Sequence, residues 1–409
     1  MLTDRGRWVL ALGGVTYLAG WAFGSVALYP IAVGLVLAVG LAAAWVHLQQ
    51  RPMRLRRLLR RREHVAGDDV PVQLELLVEG LVPSPSLVVV ERIAKLGERQ
   101  TVVRRAGSGK LRGGYVLEGV PRGRYPIEEA KVVIEDPFAL EQAVVPLQTG
   151  ESVLVFPRLV ELERLFSESG SHLPEGRRLL MRRPTGFDLH SVRDYTDGES
   201  LRRVHWPSTA RRGHLMVKEL EDAPRDETAV LLDADESVVV GTPPDSTFEV
   251  QVRAAGSILK AHARRGRRAA LIVNSARRLY QPVHTFDGDW LRALELLAAV
   301  EPDGHVPAST LLADEAGPTA RALELTVVTA VLSPRLVERL LQRMLARHLA
   351  TLVYVDAASF AADGPRPVAA DAAAQLVRLR RGGVPVAVLR RGDDLGERLG
   401  PQIVGAQVG

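Results

Sequence analysis

The sequence predicts three parts in series: an N-terminal transmembrane helical hairpin, a β-rich sandwich-like module and a doubly wound α/β domain. Three observations carry this reading. No Asp, Glu, Lys or Arg occurs in the 43 residues from Trp8 to Gln50, about twice the ~20 residues that cross a bilayer as helix. From Val65 to about Leu162 apolar residues alternate with polar ones, the period of a half-buried strand. After Asp226, short Val- and Leu-rich runs alternate with helical stretches, the signature of a sheet covered on both faces. At 409 residues the chain is long enough for about two soluble domains beyond the membrane part. Cysteine is absent, which excludes disulfides, thiolate metal sites and a cysteine nucleophile.

The apolar stretch divides into spans at about 8–28 and 31–48, broken at Leu28-Tyr29-Pro30, where proline interrupts the helix ladder and tyrosine favours the interface. A secretory signal would have one shorter apolar core and a small-residue cleavage site. Charge is concentrated at this end. Residues 1–62 hold nine arginines and one acid, net +8, and the other 347 residues total −3. Arg5 and Arg7 precede the first span, and Arg51, Arg54, Arg56, Arg57, Arg60, Arg61 and Arg62 follow the second. Positive flanks stay inside, so both ends are expected in the cytoplasm, with residues 51–64 as a basic juxtamembrane linker. The expected localisation is multi-pass in the inner or plasma membrane. The expected contact of residues 1–62 is membrane lipid, because a basic run beside a span suits an anionic leaflet; nucleic acid is not expected as a partner.

The β-rich module, a small sandwich or barrel, is expected over 65–163, with strands at Ser86–Arg92, Thr101–Arg105, Tyr115–Leu117, Lys131–Ile134 and Ser152–Val155 between Gly and Pro punctuation. Two strings, Pro121-Arg122-Gly123-Arg124-Tyr125 and Asp136-Pro137-Phe138-Ala139-Leu140, read as tight turns.

Residues 164–226 contain the most distinctive segment, Gly186 to Asp222, dense in Arg, Asp, His and aromatic residues. Gly186, Phe187, Arg193, Tyr195, Gly198, Arg202, His205, Trp206, Ala210 and Arg211 resemble the signature of the domain of unknown function 58 family. The "RGRY" and "DPFAL" strings and Val155–Leu159 resemble that family's upstream region. Glu199 stands where the family usually has Asp, and Pro207 where it commonly has Lys. Read from its residues, the segment is a polar clasp or partner face: Arg193, Arg202, Arg203 and Arg211 suit bidentate pairing with Asp194, Asp197 and Glu199, with Tyr195 and Trp206 packed and without helix or strand period. His205, Asp194 and Ser208 are the residues a hydrolase would use, yet no nucleophile-elbow pattern accompanies them.

The α/β domain is expected over 227–409. Strands are read at Thr228–Leu232, Arg268–Asn274, Leu325–Leu332, Leu352–Val355 and Val384–Leu389, with a short edge strand at Arg278–His284. Helices are read at Ser246–Arg264, Trp290–Val300, Pro334–Leu349 and Ala369–Arg381. Asp233-Ala234-Asp235-Glu236-Ser237, directly after the first strand, resembles the metal loop of a von Willebrand factor A domain. Asp233 and Ser237 match that loop, Asp235 replaces its middle serine, and the acid such a site takes after the fourth strand is replaced by Thr329 and Ser333. A degenerate Mg²⁺ site at Asp233, Asp235 and Ser237 is the metal expectation, and otherwise no cofactor is expected. Neither a Walker lysine loop nor GxGxxG follows the first strand.

These features suggest a membrane-tethered, non-enzymatic adaptor of bacterial type, with a von Willebrand A-like protein-binding domain. The resemblance implies a MoxR-type AAA+ ATPase as partner, alongside a transglutaminase-like membrane protein. The alternatives are a hydrolase using His205, Asp194 and Ser208, and a basic lipid or nucleic-acid surface sensor.

Overall fold

The computed structural model describes residues 1–59, 64–78, 86–107, 109–168, 191–195, 204–219, 227–361 and 369–401. It divides into two compact units, Met1–Phe156 and Pro157–Gly409.

The first unit opens with helices α1 (Asp4–Phe23) and α2 (Leu28–Gln49). Thr3 caps α1 by accepting from Gly6 N, and Gly24 ends it in the left-handed region. The break therefore falls at Gly24–Ala27 and not at Pro30. Pro30 sits in the first turn of α2, where its missing N–H has no partner to lose. The buried residues of α1 are Gly6, Gly13 and Gly20, one every two turns. Gly13 and Gly20 face α2, whose buried Ala32, Val39 and Val46 repeat at the same spacing, while Gly6 meets the Leu140 carbonyl. A Cβ on Gly13 would lie 3.3 Å from Val36 Cγ2 and 3.4 Å from Leu35 Cβ, the close approach that small residues permit between helices. Among the described residues α2 is the helix long and apolar enough to cross a membrane. In α1 the charged first turn, the glycines and Thr16 dilute the apolar content.

The stretch expected to be a basic linker is largely strand. β1 (Met53–Leu59) runs antiparallel to β3 (Val70–Val78), from Met53 opposite Val78 to Leu59 opposite Val72. Met53, Leu55 and Arg57 turn inward while Arg54, Arg56 and Leu58 are exposed, a period of two masked by the density of arginine. The remaining strands are β2 (His64–Val65), β4 (Ser86–Ile93), β5 (Gly97–Gly107), β6 (Lys110–Leu117), β7 (Gly123–Glu135), β8 (Gln142–Pro146) and β9 (Ser152–Phe156). They form one nine-stranded sheet in the order β1-β3-β6-β5-β4-β7-β9-β2, with β8 on β7, where the strand pattern allows a sandwich or a barrel. The sheet curls. β1 and β4 lie four positions apart, roughly 19 Å if flat at about 4.8 Å per strand, yet Arg57 Nε donates to Glu91 Oε1 at 2.7 Å. Arg57 also reaches Glu151 at 2.9 Å, and the Tyr115 hydroxyl donates to Glu91 Oε2 at 2.7 Å. Burial, reinforced by the charge of Glu91, keeps the Tyr115 phenol protonated far above its ordinary range. The apolar interior is built from Val72, Leu74, Leu76, Val89, Val132 and Ile134.

In the second unit, β12 (Thr228–Leu232), β13 (Ala269–Val273), β14 (Leu279–Val283), β15 (Glu324–Thr329), β16 (Leu349–Val355) and β17 (Val386–Leu389) form a sheet in the order β14-β13-β12-β15-β16-β17. All pairings are parallel except β13 with β14, the antiparallel edge strand. Successive residues of β12 face opposite sides. Val230 and Leu232 join Phe248, Val252 and Leu259 of one long helix (Thr247–Arg264). Ala229 and Leu231 join Leu336 and Leu340 of another (Pro334–Leu345) on the opposite face. Both faces are therefore covered, as the apolar runs require.

The buried Arg57–Glu91 pair generates a test. Glu91 is fully buried and the Arg57 side chain is 5% exposed, so removing the arginine strands a charge. Arg57→Ala is expected to cost about 3–5 kcal/mol in chemical unfolding of the detergent-solubilised protein, and Arg54→Ala, an exposed neighbour, within about 0.5 kcal/mol. Equal costs would show that the pair is not buried.

Candidate functional site

The signature segment folds as strand, helix and strand. β10 (Ser191–Asp194) pairs antiparallel with β11 (Met216–Glu219), with Ser191 opposite Glu219 and Asp194 opposite Met216. Between them lies helix α3 (Trp206–Arg212), with Pro207 in its first turn and Gly213 ending it at φ 75°. The helix is tied down by Thr209, whose Oγ1 accepts from Met216 N at 3.0 Å, and by His205 N donating to Met216 O at 2.7 Å. Buried Val204 and Met216 form its apolar footing.

This arrangement corrects the expectation of an irregular clasp with a packed indole. Trp206 is 65% exposed, and Arg211 and Arg212 at the far end of α3 are exposed too. The helix carries no apolar stripe because its order comes from the Gly213 cap and hydrogen bonds to β11. Arg193 lies on β10 opposite Val217, and Tyr195, half-buried, donates its N–H to Leu215 O at 2.9 Å. Arg202, with Gly186, Phe187, Gly198 and Glu199, lies outside the described residues.

His205 Nδ1 and Ser208 Oγ are 2.7 Å apart. The Asp194 carboxylate meets a different histidine, His214 Nε2, at 2.9 Å. The three residues of the hydrolase reading are thus divided between two pairs. His214 had no place in that reading; the Gly213 turn at the end of a basic helix is the signal that swings it back to β10.

A second polar cluster lies at the carboxyl edge of the parallel sheet. Chain order reverses beside β12, the kind of switch point where open α/β sheets bind ligands. Asp233, which follows β12, is 4% exposed. Its Oδ1 accepts from Asn274 Nδ2 at 3.1 Å and its Oδ2 from Thr329 Oγ1 at 2.7 Å. Asn274 Nδ2 also donates to Val306 O. Burial raises the Asp233 carboxyl above its ordinary value, against the pull of the Asn274 and Thr329 hydrogen bonds. Asp235 Oδ1 accepts from Ser237 N at 2.9 Å and Ser237 Oγ at 2.7 Å, capping the 3-10 turn Glu236–Val238. Gly304 closes over the edge: its N donates to Ala234 O at 2.8 Å, its O accepts from Glu236 N at 3.1 Å, and a Cβ there would overlap Asn274 O.

These residues do not fit a resident Mg²⁺, which takes near-octahedral oxygen ligation. The Asp233 oxygens are engaged by side chains of neighbouring strand ends, and Asp235 and Ser237 are engaged with each other. The described residues contain no group of three or more His, Cys, Asp or Glu placed to hold a metal ion. Asn274, which sequence reasoning passed over as the end of a strand, holds the place where its amide bridges two elements.

Residues 191–362 match the family described as "Protein of unknown function DUF58". The "Uncharacterized protein YeaD" of Bacillus subtilis (strain 168) is 24% identical over 220 residues, 54% of this chain and 53% of the relative, so the match spans about half the relative's length. Among solved structures, Pseudomonas fluorescens alkylpurine DNA glycosylase AlkC bound to DNA containing an abasic site analog aligns with 36% of this chain and 43% of that one, at 15% identity and a TM-score of 0.15. Cwp6 from Clostridium difficile aligns with 83% of this chain and 37% of that one, at 10% identity and a TM-score of 0.17. Scores so low carry no likeness of fold.

The Asp233 cluster sets a pH dependence. Its carboxyl is harder to ionise folded than unfolded, so stability is lost as the pH rises from the ordinary aspartate value of 3.8 through the raised folded value. Glu324 and Glu227, also raised by burial, act in the same direction. Asp233→Asn is expected to make the fall in unfolding midpoint with pH shallower. Parallel wild-type and variant profiles would show that Asp233 ionises normally. Millimolar Mg²⁺ is expected to leave the wild-type midpoint unchanged, and a rise would show that the loop opens to bind it.

Proposed function

Because the chain belongs, over residues 191–362, to the family described as "Protein of unknown function DUF58", we propose that it is a membrane-tethered, non-enzymatic adaptor that docks a partner protein on α3. The observation that carries this is the outward Trp206. A large indole exposed at the start of a helix whose far end carries exposed Arg211 and Arg212 has the composition of a protein-binding hot spot. A signature with a purely internal role would place its indole in the core.

The partner is a MoxR-type AAA+ ATPase, with a transglutaminase-like membrane protein alongside; nucleic acid is not a partner. The α/β unit is von Willebrand factor A-like, with its degenerate metal loop serving as a closed hydrogen-bonded latch. The strand order and the place of Asp233 after β12 support that reading. The α1–α2 pair crosses the inner or plasma membrane as a hairpin, making the protein multi-pass and leaving both soluble units in the cytoplasm. The glycine-lined packing of the helices and the flanking Arg5, Arg7, Arg51, Arg54 and Arg56 support it. Tethering raises the concentration of α3 for partners at the same membrane.

One contact favours the hydrolase reading, the 2.7 Å approach of His205 to Ser208. Its weakness is that Asp194, the orienting acid, is spent on His214.

Trp206→Ala is expected to leave the unfolding midpoint near wild type, within about 0.5 kcal/mol as for other exposed sites, and to abolish co-purification of a MoxR-type ATPase from membranes. Ser208→Ala should retain the ATPase. Full capture by Trp206→Ala would remove α3 as the docking surface.

A further inference from the structure

The loop Asp136–Glu141 is held more firmly than a simple connection needs. The Asp136 carboxylate, itself 4% exposed, accepts three backbone N–H groups: Phe138 N at 2.9 Å, Leu140 N at 2.7 Å and Glu141 N at 2.7 Å. Ala139 is held at φ 55°, a conformation a residue with a Cβ adopts only when its surroundings impose it. What this loop presents at its tip is Phe138, 75% exposed.

The loop is also fastened to the start of the first membrane-side helix. Thr3 N donates to Leu140 O at 3.1 Å, and Thr3 Oγ1 donates to Ala139 O at 2.6 Å. Leu2 forms a β-bridge with Glu141. A side chain on Gly6 would overlap the Leu140 carbonyl oxygen, so the first turn of α1 rests directly on the loop. From that turn project Arg5, Arg7 and Trp8, all exposed, Trp8 at 77%. An exposed phenylalanine on a rigid mount, level with the entry of an apolar helix and beside cations and an indole, has the composition of a bilayer interface. Aromatic rings partition to the headgroup boundary, and arginines beside it attract anionic headgroups.

We propose that this loop is a lipid-surface anchor: Phe138 inserts into the headgroup–acyl boundary of the same bilayer that α1 and α2 enter, fixing the β-rich body against an anionic membrane face. The proposal rests on the membrane reading above and goes beyond it. The helices fix where the chain enters the bilayer, and an inserted Phe138 adds a contact of the β-rich body with the surface itself.

The absence of cysteine from the chain makes the test direct. In the full chain, single cysteines at exposed Pro137, at Trp8 and at Lys95 carry an environment-sensitive fluorophore. Lys95 lies in the turn after β4, whose Ile93 is opposite Ile127, so it is roughly 26 Å along β7 from Glu135. The protein is reconstituted into phosphatidylethanolamine–phosphatidylglycerol vesicles containing a lipid with a nitroxide on its upper acyl chain. Labels at Pro137 and Trp8 should be quenched alike and the Lys95 label spared. Phe138→Ser in the Pro137 background should abolish quenching at 137. A quenched Trp8 label with an unquenched Pro137 label overturns the anchor while leaving the membrane reading intact. Quenching at 137 that survives Phe138→Ser overturns the role of the ring. If the Trp8 label is also unquenched, the membrane reading fails and the anchor with it.

Discussion

The first unit depends on Gly6 having no side chain. At that position the helix backbone rests on the Leu140 carbonyl, and any Cβ would push α1 off the loop between β7 and β8. This contact joins a helical pair to a curled sheet, and its consequences run in both directions. Gly13 and Gly20 continue the same stripe along α1, so seating α1 on the loop also aligns it against α2. Val39 and Ala42 of α2 then close on Leu140 from the other side. The chain leaves α2 only four residues before β1 begins, and Arg57 of that strand is drawn inside to Glu91. A buried ion pair is weak support for stability in itself, but breaking one is costly, and here it spans strands that only a curled sheet brings together.

The two polar clusters of the second unit differ in a way that separates their roles. The Asp233 cluster is turned inward: its carboxylate is buried, its donors are supplied by strand ends, and Gly304 lies across it. A network that engages both carboxylate oxygens of Asp233 specifies the geometry of the strand ends. The α3 cluster is turned outward, with its C-terminal end closed by Gly213 and its largest side chain in solvent. The proposed docking by α3 draws on the outward cluster alone, and the inward one is left with a structural part.

Much of the fold was legible in residue period. The Thr228–Leu232 strand and the Ala369–Arg381 helix stand where their patterns put them, because each is a local apolar pattern packed on one extended core. What escaped was set by non-local or polar forces. β1 was hidden because its exposed face is arginine, which reads as a charged run until its partner strand is known. The curled sheet could be read as a sandwich or a barrel, because strand period does not report which strands meet. The turn between the first two helices was placed at Pro30, although proline is well tolerated in a first helical turn. Seven-residue α3 shows no apolar stripe, its helicity resting on Gly213 and Thr209. At the candidate sites, the sequence pointed to Asp233, Trp206 and Arg211, but Asn274 and His214 became visible only once the fold brought them to their carboxylates.

The proposed function requires the helical pair to enter the bilayer as a hairpin with both soluble units on the inner side. The most direct measurement is labelling by a membrane-impermeant maleimide in intact cells, with single cysteines at Ala27, exposed between the helices, and at Arg211, exposed on α3. The account predicts that the Ala27 position reacts from outside and that the Arg211 position reacts only after the membrane is permeabilised. Reaction of the Arg211 position in intact cells, with the Ala27 position protected, would contradict it.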